Sequence, residues 1–318
     1  MAKFIGRRFV VLLATMFVVS FLVFGALEHN IEDVAVHVLG QFSTAEQRHA
    51  WLQENAYFDP FFVRYLRWIG HFVIGDWGIS NFYKVPVAEL VSEYLGQTAI
   101  LAAVALAAMV PVALFLGVLA GACEGTWLDR AISFFCIVTT SIPQFASAVF
   151  LSAVFVFWLG LLPGASTMTS GFSWREIVMP VLVLALAGMG YLARMTRASV
   201  VEAMASPYVR TALMKGNSFS RIVTRHVLRN ALVAPVTVIM LYVPWLLSNV
   251  VVVEFFFGYR GFGTLLYSAS LQHDVYLIEA CTMVAVAAVV GTQLLSDIAY
   301  VALDPRVDFA TAADAGGH

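Results

Sequence analysis

The sequence predicts an all-α polytopic membrane protein with six transmembrane helices and a long extracytoplasmic loop after the first. Three observations predict it. Hydrophobic residues fill 61% of the 318 positions, well above the roughly 45–50% apolar content of soluble domains. Mean hydropathy is +0.85. Several apolar stretches reach about 20 residues, the length a helix needs to cross a hydrocarbon core of roughly 30 Å.

The spans are predicted at about 9–28, 98–122, 131–160, 177–194, 231–256 and 279–303. The first follows Lys3, Arg7 and Arg8. Its apolar run exceeds the roughly 7–15 residues of a signal peptide, so an uncleaved span is expected. With both termini inside, the inner segments collect twelve of the 18 Lys and Arg residues, among them Arg130, Arg194 and Arg197. That bias fits the positive-inside rule. The chain then divides into a first span (1–28), an extracytoplasmic helical loop (29–97), a membrane core (98–305) and a cytoplasmic tail (306–318). The closing "ATAADAGGH" reads as disordered. Cys123, Cys136 and Cys281 form no spaced framework and read as packing residues.

The loop reads as short helices. Ser43-Thr44-Ala45-Glu46 has capping-box spacing and predicts a helix start near Ser43. Asp59-Pro60 predicts an N-cap with Pro at the first helical position. "FFVRYLRWIGHFVIGDWG" then sets aromatics and Arg at helical spacing and stops at Gly75. It suits either a cap lying on the bilayer surface or a platform for an outside partner.

Pro111, Pro143, Pro235 and Pro244 fall inside spans, where Pro removes a hydrogen bond and favours a kink. Around Pro143, "TTSIPQF" adds hydroxyls and an amide. Either a cavity-facing bend or helix–helix packing explains it. In the last span Gln293, Ser296, Asp297, Tyr300 and Asp304 share one helical stripe turned into protein, which suits either a proton relay, for which no second buried acid or His stands at similar depth, or the favoured reading, a structural polar face near the inner surface. Glu254 stands at the outer end of the fifth span, where a carboxylate need not be deeply buried.

No catalytic site is expected. There is no G-x-x-x-x-G-K-[ST], no H-E-x-x-H, no Cys/His set at metal spacing and no G-x-S-x-G.

One segment interrupts the apolar chain: "YVRTALMKGNSFSRIVTRHVLRNALVAP", Tyr208 to Pro235. Two turns of helix from Tyr208 to Lys215 begin after Pro207. Gly216 suits a left-handed chain reversal, and Asn217-Ser218 supply turn and N-cap chemistry for a second helix. There Arg221, Arg225 and Arg229 make a basic stripe beside Ile222, Val223, Val227 and Leu228. A loop meeting anionic lipid is the simpler reading, but it needs no Gly at a fixed place and no separate short first helix. A lever that docks into another protein needs both.

This segment resembles the cytoplasmic loop of bacterial ABC importer permeases, in the dipeptide, oligopeptide and nickel branch. There Arg210-Thr211-Ala212 stands for E-A-A and Gly216 for its Gly. "GDWGIS" (75–80), "SIPQF" (141–145), "VEFFFGYRGFGTLL" (253–266) and "LDPRVDF" (303–309) resemble further patterns of that branch. Three places depart from it: "HNIED" replaces P-G-D-P, "NAYFDP" replaces L-G-L-D-x-P, and Arg260 replaces the Pro of P-G.

The resemblance implies a type I importer fold and the first of two homologous permease subunits in the bacterial inner membrane. Two cytoplasmic ATPase subunits would use ATP and Mg, an extracytoplasmic binding protein would deliver the solute, and this chain would bind no cofactor of its own. The implied partners are these subunits and the lipid bilayer, with no nucleic acid. The implied ATPase contact is Tyr208, Arg210, Thr211, Ala212, Lys215 and Gly216, supported by Arg221 and Arg225 within a coupling loop of about 195–230. The candidate translocation path is Ser141, Pro143, Gln144, Ser248 and Asn249. Peptides are the leading solute class and a nickel chelate or another small solute the alternative. A secondary transporter is the rival of another class; it would show repeated broken helices and buried coupling acids.

Overall fold

The computed structural model describes residues 2–28, 30–40, 42–168 and 171–303, with side chains between residues 6 and 299. The first helices are α1 (Ala2–Leu27), α2 (Ile31–Leu39), α3 (Ala45–Glu54), α4 (Phe61–Val73) and α5 (Val87–Ala122). Then come α6 (Trp127–Ser141), α7 (Gln144–Ser152) with a π-helical extension Ala153–Trp158, and α8 (Trp174–Met204). The rest are α9 (Pro207–Met214), α10 (Phe219–Ile222) continuing through a π-helical Val223–Val227 into α11 (Leu228–Ala231), α12 (Val233–Phe257), α13 (Phe262–Leu271) and α14 (Val275–Leu303). Among the described residues the one extended pairing is the bridge between Ile79 and Pro86.

Among the described residues five helices are long and apolar enough to cross a membrane: α1, α5, α8, α12 and α14. A sixth span exists if α6 and α7 count as one, across a bend of 106°. The sequence predicted one continuous span there. Ile142 is instead extended and Pro143 caps α7. Pro143 has no N–H to donate and disfavours helical geometry at the residue before it, so the helix stops and restarts.

Other boundaries also moved. α5 begins eleven residues before the predicted edge at 98, and α8 runs ten residues past 194. Helix continues through polar residues as readily as through apolar ones, while hydropathy marks only the apolar part. In α3 the capping box uses Thr44 and Gln47, one residue later than predicted; Thr44 Oγ1 accepts from Gln47 N and Gln47 Oε1 accepts from Thr44 N. α4 is capped by Pro60 with no side-chain hydrogen bond, so Asp59 is not its N-cap. Asp59 pairs with Arg67 instead. Asp304 and the closing segment lie outside the described residues.

By internal contacts the chain forms two compact units. The first comprises Met1–Thr98 and Arg260–Gly291. In it α4 packs on α1 through Phe21, Phe24, Phe61 and Tyr65, and Tyr65 Oη lies 2.7 Å from the buried Ser20 Oγ. The start of α5, α13 and the start of α14 share an apolar core around Val91, Leu265 and Leu277. Asp274 closes this region by accepting from Ser80 Oγ, Phe82 N and Leu277 N.

The second unit comprises Ala99–Tyr259 and Thr292–His318. α8 is its centre, packed by α6, α7 and α12. Gly117 and Gly121 let α5 approach α8 closely: a Cβ on either would strike Thr196 or Val200. Small residues at such crossings let helix backbones meet. Asp129, near the start of α6, accepts both Arg197 Nε and, at 2.8 Å, Arg197 Nη2, tying α6 to α8. Glu254 is fully buried, contrary to the expectation from its place near a helix end. Burial, with the Glu254 carboxyl nearby, pushes the Tyr259 hydroxyl up to about 12. On α14, Ser296 donates to Met240 O at 2.6 Å and Gln293 donates to Asp297 at 3.3 Å.

Candidate functional site

Two features of the second unit have the character of a site: a basic arm after α8 and an uncharged cavity lined by α6, α7, α8 and α12.

Pro207 starts α9 at a position where its missing N–H costs nothing. At the other end Gly216 N donates to Leu213 O at 2.9 Å and Asn217 N to Ala212 O at 3.3 Å. With Gly216 at φ +76°, this is a Schellman turn, the geometry that favours Gly. The side chain of Asn217 also donates to Ala212 O. The chain reverses into α10–α11, whose inner face supplies Ile222, Val227 and Ala231. These pack with Val200, Val209 and Ala212 in one apolar cluster. Ser199 Oγ donates to Ala231 O at 2.7 Å and fastens the arm to the end of α8.

What remains outside is distinctive. Tyr208, Arg210, Thr211, Lys215, Gly216, Arg221 and Arg225 are exposed, and the four cations among them make no ion pair with any described residue. Ala212 faces inward and is buried. Leu213, Met214 and Phe219, which the sequence reading passed over, are also exposed, Met214 to 78%. Their signal was present as apolar residues on the outer side of a helix whose inner side was already apolar.

The cavity has a volume of about 580 Å³. The broken helix makes room for it: Pro143, Gln144 and Phe145 at the restart form one wall, with Thr139 and Thr140 beside them. α8 contributes Ala187 and Tyr191; α12 contributes Tyr242, Trp245 and Asn249. Among the described residues no Asp, Glu, Lys, Arg or His lines it. Gly190 permits the close crossing of α8 with α6, since a Cβ there would meet Cys136 O and the two Thr hydroxyls. The Gln144 amide nitrogen is buried without a partner among the described residues, and Asn249 spends its amide nitrogen on Trp245 O, which leaves its carbonyl for other use.

Of the five path residues read from sequence, Pro143, Gln144 and Asn249 line this cavity. Ser141 and Ser248 do not; their hydroxyls donate to Ile137 O and Pro244 O in their own helices. Sequence reasoning missed Tyr191, Tyr242 and Trp245, which look like ordinary span residues until the helices are assembled.

Comparison with known proteins agrees over most of the chain. The family model described as binding-protein-dependent transport system inner membrane component matches residues 113–309. The chain is 30% identical over 316 residues to the oligopeptide transport system permease protein AppB of Bacillus subtilis (strain 168), covering 97% of this chain and 100% of the relative. It is 30% identical over 309 residues to the glutathione transport system permease protein GsiC of Shigella flexneri serotype 5b, with 97% and 100% covered. The chain therefore belongs to the family of binding-protein-dependent transport system inner membrane components, the permease proteins of ABC importers.

Proposed function

We propose that this chain forms half of the translocation pathway of an ATP-driven importer for peptides or closely related small solutes. The observation that carries the reading is the continuity of α8. One helix holds Ala187 and Tyr191 in the cavity wall and Val200 in the anchor of the basic arm. From Tyr191 to Val200 is about 14 Å along a helix, so a push on the arm reaches the cavity through a single stiff element.

In this reading the chain crosses the bilayer six times with both termini in the cytoplasm, and 29–97 lies outside. The arm faces the cytoplasm and docks into one of two separate ATPase subunits, which bind ATP and Mg. Its unpaired Arg and Lys residues meet acidic groups there, and Leu213 and Met214 fill an apolar pocket. A second, homologous permease completes the path, and an extracytoplasmic binding protein supplies solute. Closure of the ATPases displaces the arm, α8 moves with it, and the cavity changes its access.

The cavity chemistry supports a peptide. Aromatic faces and amide groups suit main-chain amides and apolar side chains, while the absence of lining charge leaves no fixed counter-ion to trap a solute in transit. The names of the relatives, oligopeptide and glutathione permeases, point the same way. The test is a Met214→Cys variant in the assembled membrane complex, treated with a bifunctional thiol cross-linker. The expected product is a covalent adduct with a P-loop ATPase that changes in yield when ATP is added. An adduct with lipid or none at all contradicts the docking role.

A further inference from the structure

A second cavity, of about 660 Å³, lies in the first unit and belongs to no part of the transport reading above. That volume is in the range of small-molecule sites. Its floor carries a buried ion pair: Arg64 Nη1 donates to Glu28 Oε2 at 2.7 Å, with both side chains nine-tenths buried or more. Phe24 and Tyr57 hold the guanidinium against their rings, at 5.9 and 5.4 Å. The Tyr57 hydroxyl is within hydrogen-bonding reach of Glu28 and of Tyr276.

Behind this wall stands a second carboxylate. Glu279 is 2% exposed. Trp68, which lines the cavity, hydrogen-bonds it, yet the Glu279 Oε1 is buried with no partner among the described residues. Tyr276 and Ala280, its neighbours on α14, line the cavity too. Around the rim Arg67 is matched by Asp59 and His71 by Asp76 at 2.9 Å. Lys84 is exposed to water. Arg64 is engaged by Glu28, and among the described residues no cation pairs with Glu279. A buried carboxylate ionises only at a cost, which a nearby cation lowers.

We propose that this cavity binds small organic ammonium ions. The ammonium group lies against Glu28 and the rings of Tyr57, Trp68 and Tyr276, and supplies the counter-ion that Glu279 lacks. Aromatic rings stabilise such cations through their quadrupoles, and the Trp51 and Trp77 side chains give an apolar body a place to rest.

The experiment uses the full chain in lipid nanodiscs and 2-phenylethylammonium chloride as probe, read by tryptophan fluorescence and by thermal shift. The matched neutral probe is 2-phenylethanol. Saturable binding of the ammonium at least about tenfold tighter than the alcohol, and a comparable loss in Glu279→Gln, supports the site. Equal binding of the two probes, no saturable binding, or full ammonium affinity in Glu279→Gln overturns it. Should Glu279→Gln fail to fold, the wild-type preference for ammonium over alcohol decides alone.

Discussion

The two cavities are nearly equal in size, about 660 and 580 Å³, and opposite in chemistry. The one in the first unit is built from ion pairs and aromatic rings; the one in the second has no charge on its walls. The difference follows from what each surrounds. Charges inside a low-dielectric wall need partners held in place, which suits binding better than passage. An uncharged wall of rings and amides has weak, replaceable contacts, which suits a solute that must leave as readily as it enters. The arm extends the contrast, since its cations are left unmatched on the outside, where a partner can supply the missing charge.

The largest effect is expected at the arm's turn. Gly216 has open space around it but sits at φ +76°, and its N–H bonds to Leu213 O. Gly216→Pro removes that N–H and forces φ near −65°. Peptide uptake into energised vesicles should fall to background while the protein still inserts into the membrane. Normal uptake would sink the role of the arm and with it the contrast between matched and unmatched charge.

Next is the joint between α6 and α8. Asp129 also accepts from Gly125 N and Ser133 Oγ. Asp129→Ala should cost about 2–3 kcal/mol, the scale of hydrogen bonds to charged groups, seen as a lower unfolding temperature, with Asp129→Asn milder. An unchanged melting curve would mean that the ion pair adds nothing to the second unit.

The cavity wall gives a sharper test because stability and function should move apart. Gln144→Leu removes a buried amide nitrogen that has no partner, so stability should hold or rise by about 1 kcal/mol. Uptake should nevertheless drop several-fold, since the amide is then unavailable to solute. A parallel change in both would make Gln144 an ordinary packing residue.

The smallest effect is in the first unit. Burial raises the Glu28 carboxyl above its usual 4.5, outweighing the opposing pull of Arg64. The folded state therefore holds this proton more tightly than the unfolded chain. That contribution is fully present below 4.5 and is lost as pH rises through the raised value. Glu28→Gln should flatten that part of the stability profile, measured by thermal unfolding across mildly acidic pH. An identical slope in wild type and variant would remove Glu28 from the account.

How legible all this was differs by region. The arm could be read almost residue by residue, because Pro207 and Gly216 act through the local backbone and the apolar faces follow helical period. The long spans were visible by hydropathy, but their ends were not, since Glu89, Arg197 and Glu202 sit on helices that continue beyond the apolar part. The bend at Pro143 was read as a kink inside one span when the helix in fact stops and restarts. The cavities were the least legible. Tyr191, Tyr242 and Trp245 meet only when α8 and α12 are packed. Glu28, Arg64 and Glu279 are brought together across more than two hundred residues, and no local pattern records such a contact.

The central claim is that the arm is the contact with an energy-coupling subunit. It is tested most directly by purifying the tagged chain from its native membrane in mild detergent and identifying its companions by mass spectrometry. We predict a second permease of the same family together with P-loop ATPases, and loss of the ATPases, with the second permease retained, in Gly216→Pro. Recovery of the chain alone, without ATPases even after cross-linking, would contradict the account.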